Sequence, residues 1–317
     1  MSEPQGSKLI RTLLDFDRFT ADDVRAILNT TDVMAQVLER PVKKVPALQG
    51  FTVATLFYED STRTRLSFER AARAQSADVM TFSKGGSSVS KGESLRDTVA
   101  TLEALAVDAF VVRHPSAGAA HQVASWTDKA VINAGDGRRA HPTQALLDVA
   151  TYERSVDAPV EGRKLVIVGD VAHSRVARSN AALWRLLGAD VTVCGPPTLM
   201  PQHGGLPEGV TVETRLDRAL DGAHAVMALR LQQERMHEAR FASPAAYAEQ
   251  YQITEARLAG AQDDVKVLHP GPMNRGVEID GRLADGPQSL VTQQVAMGLP
   301  VRMAVLYHLL VGKGGSA

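Results

Sequence analysis

The sequence predicts an α/β protein built from two doubly wound parallel-sheet domains and a C-terminal helix. Three observations carry this expectation. Short apolar runs of strand composition, such as FTVATLFY (51–58) and KLVIVGD (164–170), alternate with amphipathic stretches of roughly 10–15 residues, the pattern of βαβ units. The alternation runs twice, broken by a polar loop at 155–163. The chain of 317 residues also exceeds the usual size of a single domain.

In chain order, the first 45 residues read as helical, with Leu13, Phe16 and Phe19 ahead of the amphipathic run Val24–Leu38. Strand 51–58 is followed by a helix over 61–75, opened by a Ser N-cap. Strand 78–83, helix 94–105, strand 108–113, a further helix and strand 130–135 complete the first series. A helix starts at Pro142, a favoured first helical residue, and runs through 154. The second series comprises strand 164–168, helix 174–188, strand 190–195, a helix near 215–222, and strands 224–230 and 264–269. Segment 292–312 is one amphipathic helix whose docking face periodicity leaves open.

Composition narrows the function classes. Hydrophobic residues make up 44% and charged residues 22%, which excludes a disordered or fibrous chain. Aromatics are only 5%, so Ala, Val, Leu and Ile must build the core. A net charge of −1 provides no general basic field for nucleic acid or membrane. The one cysteine, Cys194, excludes an internal disulfide framework and a multi-thiolate metal cluster. The first residues lack a secretory h-region, and no apolar run is long enough to cross a bilayer, so the expected location is cytoplasmic.

Open α/β sheets bind ligands beyond the carboxyl ends of their strands, so those ends are where chemistry is expected. After strand 51–58 comes Ser61-Thr62-Arg63-Thr64-Arg65, three hydroxyls and two guanidiniums at a helix N-terminus. Free backbone N–H groups and the helix dipole favour an anion there, and hydroxyl and Arg donors suit phosphate oxygens. An N-cap followed by solvated arginines explains one guanidinium more easily than two. Arg113, ending strand 108–113, can complete the same anion site. His141, opening the helix with Pro142-Thr143-Gln144, could serve as acid, base or hydrogen-bond donor. In the second half, Arg175 follows Gly169-Asp170, strand 224–229 delivers Arg230 and Gln232, and strand 264–268 delivers His269-Pro270-Gly271-Pro272.

Several common motifs fail on spacing. Lys91 is preceded by Ser90 and followed by Gly92, which does not fit a Walker A loop. The turn after strand 164–168 lacks the glycines of a dinucleotide fingerprint. There is no G-x-S-x-G elbow and no H-E-x-x-H.

With these residues in view, the chain resembles the aspartate/ornithine carbamoyltransferase family over essentially its whole length. Ser61-Thr62-Arg63-Thr64-Arg65 is similar to the family's carbamoyl-phosphate signature. Lys91-Gly92-Glu93, Arg113-His114-Pro115, His141-Pro142-Thr143-Gln144 and His269-Pro270-Gly271-Pro272 follow in the expected order. Within the family the aspartate branch fits. Ornithine enzymes carry an H-C-L-P segment where this chain has His269-Pro270-Gly271-Pro272, and Arg175 and Arg230 would repel a cationic side chain.

The resemblance implies a carbamoyl-phosphate-binding domain over 1–150, an aspartate-binding domain over 151–291, and a C-terminal segment 292–317 packing back on the first. It implies transfer of the carbamoyl group of carbamoyl phosphate to the α-amine of L-aspartate, in pyrimidine (UMP) biosynthesis, with no cofactor and no metal. By the same resemblance Ser61, Arg63, Thr64 and Arg113 hold the phosphate, with Thr64, Arg113 and His141 on the carbonyl oxygen. Gln144 and the segment Pro270-Gly271-Pro272 orient the carbamoyl amino group, through the Pro270 and Gly271 carbonyls. Lys91 reaches a neighbouring subunit's site in a homotrimer, together with Ser87 or the adjacent Ser88. Arg175, Arg230 and Gln232, with Lys91, bind aspartate. The family's assemblies leave a regulatory chain or a dihydroorotase open as a further partner.

Overall fold

In the computed structural model, residues 11–83, 93–201, 205–231 and 243–312 are described. Contacts divide the chain into two units. One comprises the described residues through Thr143 together with those from Gly298 onward, and the other is Gln144–Met297.

The first unit opens with β1 (Thr12–Leu13) and α1 (Ala21–Glu39). A capping box starts α1: Thr20 Oγ1 accepts the Asp23 N–H and Asp23 accepts the Thr20 N–H. Then follow β2 (Thr52–Phe57), α2 (Thr62–Ala74), β3 (Asp78–Ser83), α3 (Leu95–Ala104), β4 (Ala109–His114), α4 (Ala119–Trp126) and β5 (Ala130–Asp136). All strand pairs are parallel, in the order β1-β5-β4-β2-β3. The core on one sheet face joins Ala54, Leu56, Phe110, Val112 and Val131 to Val99, Leu102, Ala120 and Val123 of the helices. Small and branched side chains do this work, as the low aromatic content requires.

The boundary runs through α5 (Pro142–Val156), which also contains residue 150. The second unit continues with β6 (Lys164–Val168), α6 (Arg175–Leu186), β7 (Asp190–Cys194), β8 (Thr211–Glu213), α7 (Leu216–Leu220), β9 (Ala225–Ala228), α8 (Pro244–Tyr251), β10 (Lys266–Leu268) and α9 (Gly281–Asp285). Its five parallel strands run β10-β9-β6-β7-β8. Helix α10 (Val291–Leu310) closes the chain, and its part beyond Gly298 belongs to the first unit. There Arg302 Nη1 donates to Ser67 Oγ at 2.8 Å and its guanidinium lies 5.2 Å from the Phe68 ring. Gln75 Nε2 donates to the Met303 carbonyl at 3.1 Å.

The expected α/β architecture with two parallel sheets is what forms. Four elements depart from the sequence expectation. Thr12–Leu13, read as helical, is a short strand on β5, with Leu13 fully buried. Strand β8 is an edge strand of only three residues, none of them buried. Helices α8, of eight residues, and α9, of five, are capped at their starts and too short for a periodic signal. Among the described residues no helix is long and apolar enough to cross a membrane.

Candidate active site

In the first sheet the chain winds from β2 to β3 on one side and returns with β4 on the other, so the strand order reverses between β2 and β4. Such a switch point opens a crevice at the strands' carboxyl ends. Ser61 and α2 lie beyond β2 here. Ser94, Ser174 and Ser243 each use the side-chain hydroxyl to cap a helix, but Ser61 at the N-cap of α2 makes no such bond. No acidic residue occupies the first turn of α2. The positive end of the helix and the Ser61 hydroxyl are therefore set up for an anionic partner. Thr64 is buried and Arg63 is exposed. Arg65 is drawn along the helix instead, 3.8 Å from Glu69, which also neighbours Arg73 at 3.6 Å. The second guanidinium of the sequence motif thus has a structural explanation, while Arg63 does not.

Arg113 stands on the other side of the switch point, with Phe57 as its β2 partner. The β4–β5 register shifts between Val112 and His114. Its guanidinium is largely buried; Nη2 donates to Glu59 Oε1 at 2.7 Å and Nη1 to the Ala134 carbonyl at 3.3 Å. Glu59 went unassigned in the sequence, where only its position beside the hydroxyl cluster pointed to it.

His141 is buried at the start of α5. The turn before it is set by Asp136, fully buried, whose carboxylate accepts the Gly118 N–H at 2.7 Å, the Ala140 N–H at 3.1 Å and Asn133 Nδ2 at 2.9 Å. Gly137 in this turn has φ +50°, and a Cβ there would meet the Ala117 nitrogen at 2.6 Å. Any side chain there would have to displace neighbouring backbone.

The second sheet has its own switch point, between β6 and β9. Gly169-Asp170 follows β6, and Arg175 heads α6. Gly169 takes φ +130°, with the Leu229 carbonyl and the Tyr247 hydroxyl 3.2 Å from where a Cβ would sit. Burial pushes the Tyr247 phenol well above its ordinary range. Asp170 pairs with His173 at 2.8 Å. Arg230 follows β9 and, like Arg175, is half-buried. Two arginines thus flank one switch point.

Gln144 lies in this unit, buried, with Nε2 donating to Asp148 at 2.8 Å. Beyond β10, the His269 ring accepts the Gly271 N–H on Nδ1 at 2.8 Å, so its Nε2 carries the proton toward Glu278 Oε1, 3.0 Å away. Asn274 N–H also bonds that oxygen. The Gly271–Pro272 peptide is cis. Asp148 stands four residues from Gln144 on α5, a spacing the sequence displays; Gln294 and Glu278 carry no local signal. Ser87, Lys91 and Gln232 lie outside the described residues. Cys194 is fully buried at the end of β7, and burial, aided by Glu213 and Asp217, pushes its thiol up to about 12.

Two parallel sheets, one with hydroxyl and guanidinium donors at its switch point and the other with two arginines, define a two-unit α/β protein that handles anionic substrates. Comparison makes the class specific. Residues 11–154 match the carbamoyl-P binding domain of aspartate/ornithine carbamoyltransferase, and residues 161–309 match its Asp/Orn binding domain. The chain belongs to the aspartate/ornithine carbamoyltransferase family. It is 59% identical to the aspartate carbamoyltransferase catalytic subunit of Thermus aquaticus, over 96% of this chain and all of that one (100%). Among solved structures it is similar to Trypanosoma cruzi aspartate transcarbamoylase in complex with N-(phosphonacetyl)-L-aspartic acid. That match has a TM-score of 0.84 and 29% identity and covers 95% and 96% of the two chains. The ornithine carbamoyltransferase of Pyrococcus furiosus matches with a TM-score of 0.85 and 26% identity over 95% and 97%. The backbone is common to both branches, so the choice of amine rests on side chains.

Proposed function

We propose that this chain is an aspartate carbamoyltransferase, transferring the carbamoyl group of carbamoyl phosphate to the α-amine of L-aspartate and releasing phosphate. The observation that carries the choice of amine is the pair Arg175 and Arg230 at the second switch point, which suits a dicarboxylate and opposes ornithine. The name of the 59% identical relative supports the same choice.

Ser61, Arg63, Thr64 and Arg113 bind the phosphate, and Thr64, Arg113 and His141 donate to the carbonyl oxygen. The neutral α-amine of aspartate attacks the carbonyl carbon, a C–N bond forms and charge collects on that oxygen. The C–O bond to phosphate then breaks, and the proton lost by the amine leaves on the phosphate. Donors aimed at the oxyanion strengthen as its charge grows; losing one typically costs about 2.7–4 kcal/mol. Holding both substrates in one site makes the attack effectively unimolecular. Gln144 and the Pro270 and Gly271 carbonyls orient the amino group, and Arg175, Arg230, Gln232 and Lys91 bind aspartate. The chain works as a cytoplasmic homotrimer whose sites are completed by Lys91 and either Ser87 or Ser88 of a neighbouring subunit, alone or with a regulatory chain or a dihydroorotase.

The test is an assay of purified protein with carbamoyl phosphate and either aspartate or ornithine, measuring ureido product. Product with aspartate alone is expected. Product with ornithine alone would overturn the choice of amine, and no product with either would overturn the enzyme reading. Arg230→Ala should then raise the aspartate requirement by orders of magnitude, since charge-assisted bonds contribute about 1.5–3 kcal/mol each, with little effect on that for carbamoyl phosphate. An unchanged aspartate dependence would remove Arg230 from the site.

A further inference from the structure

Asp148 is fully buried on α5 and takes no part in the reaction just described. Its Oδ1 accepts Gln144 Nε2 at 2.8 Å and Gln294 Nε2 at 2.7 Å, and its Oδ2 accepts Asn180 Nδ2 at 2.8 Å. A carboxylate can only accept. It therefore dictates which way each glutamine amide faces. Gln144 must turn its nitrogen inward, and its Oε1 receives no hydrogen bond from any described residue.

Gln294 is fixed in the same way, and its outward Oε1 accepts the His269 N–H at 2.9 Å. The next amide along, that of Gly271, is tied to the His269 ring at 2.8 Å, and Pro270 has none. With its donors anchored inside, this segment leaves the Pro270 and Gly271 carbonyls without a hydrogen bond among the described residues. Three uncommitted acceptors, Gln144 Oε1 and these two carbonyls, thus trace back to one buried carboxylate.

We infer that Asp148 is a positioning residue that sets the acceptor-only character of the carbamoyl amino-group pocket, and so makes the chain select an acyl phosphate bearing –NH2. This rests on the reading that Gln144, Pro270 and Gly271 face that amino group. A pocket lined by acceptors rewards two N–H donors and gives a methyl group nothing, and a site built around a hydrogen bond rejects the analogue that lacks it. Asp148 touches no substrate. It acts through Gln144 and Gln294.

The test measures equilibrium binding of carbamoyl phosphate, acetyl phosphate (methyl in place of amino) and inorganic phosphate to the full-length chain without aspartate. The wild-type chain should prefer carbamoyl over acetyl phosphate by at least about tenfold. In Asp148→Leu this preference should collapse toward unity while acetyl phosphate and phosphate bind within about twofold of wild type. Asp148→Asn, which keeps one oxygen for the two glutamine amides, should retain most of the preference. If Asp148→Leu keeps the preference, or weakens all three ligands alike as a structural role would, the inference fails. Should that variant not fold, Gln294→Leu carries the test, because it cuts His269 from Asp148 and leaves Gln144 in place. A several-fold loss of preference is then expected, and an unchanged preference overturns the inference. A wild-type chain that binds neither acyl phosphate would overturn the carbamoyl-phosphate reading itself, and this inference with it.

Discussion

Arg113 and Glu59 form an ion pair of 2.7 Å at the switch point of the first sheet, with side-chain exposures of 11% and 30%. The carboxylate neutralises the guanidinium that is proposed to receive a phosphate. Partial burial weakens solvent screening, so this negative charge opposes an incoming anion more than a surface carboxylate would.

Glu59→Gln keeps the side-chain shape and an acceptor for Arg113 while removing the charge. Inorganic phosphate should bind more tightly to this variant, by a few-fold at low salt, with the advantage shrinking as salt rises. Arg113→Ala should weaken phosphate binding with or without the Glu59 substitution. Titration calorimetry at two ionic strengths measures both. Weaker phosphate binding by Glu59→Gln would mean that the carboxylate serves to aim Arg113 rather than to compete with the ligand.

The turn leading to His141 supplies a second prediction. Gly137→Ala puts a Cβ 2.6 Å from the Ala117 nitrogen and 2.9 Å from the Pro115 carbonyl, at φ +50°. Both obstacles are backbone and cannot rotate away. Backbone strain of about 1–3 kcal/mol is expected, and overpacking adds a comparable amount. Thermal unfolding of the variant should begin several degrees below wild type, and activity should fall with it. A melt indistinguishable from wild type would show that the 114–117 segment yields.

The strand ends were the most legible part of the sequence, because parallel βαβ units announce both the strands and the crevice beyond them. Ser61, Thr64, Arg113, His141, Arg175 and Arg230 all stand at such ends. Arg65 misleads, since its i+4 partner Glu69 claims it. What the sequence hides is contact across long separations. Asp148 and Gln294 are 146 residues apart, and nothing in either neighbourhood names the other. Strands β1 and β8 are hidden for a different reason: two or three residues hold no period, and they exist because a neighbouring strand offers an edge.

A pH prediction concerns His224, at the start of β9. Its Nδ1 accepts the Lys164 N–H at 3.0 Å, which requires the unprotonated ring nitrogen. Burial, then Arg163 and Lys164, lower its pKa, against a raising influence of Asp264. The folded state therefore binds this proton less readily than the unfolded chain. The stabilisation is complete above the ordinary His range near 6.5 and is lost as pH falls through the lowered value. His224→Asn can offer an oxygen to the Lys164 N–H without titrating. Between pH 7.5 and 5.5 its melting temperature should fall less than that of wild type. Equal falls would place the pH dependence elsewhere.

The last prediction concerns the shared site. Lys91 follows the Gly- and Ser-rich stretch 85–90, and a cation beside such a stretch is by composition alone a solvated surface feature. The proposed function calls for the other outcome, in which Lys91 serves the next subunit of a trimer. The experiment uses two inactive variants, Arg63→Ala and Lys91→Ala, dissociated and reassembled in equal amounts. If each site draws Arg63 from one subunit and Lys91 from its neighbour, a site is intact only when the first subunit is Lys91→Ala and the second Arg63→Ala. In a closed cyclic trimer assembled at random that is about a quarter of all sites. Activity should recover to roughly that fraction of wild type after mixing, and not when either variant is reassembled alone. If Lys91 serves its own subunit, every site in every mixed trimer lacks one residue, and mixing restores nothing. That result would remove the shared site and leave the reaction assigned to the chain untouched.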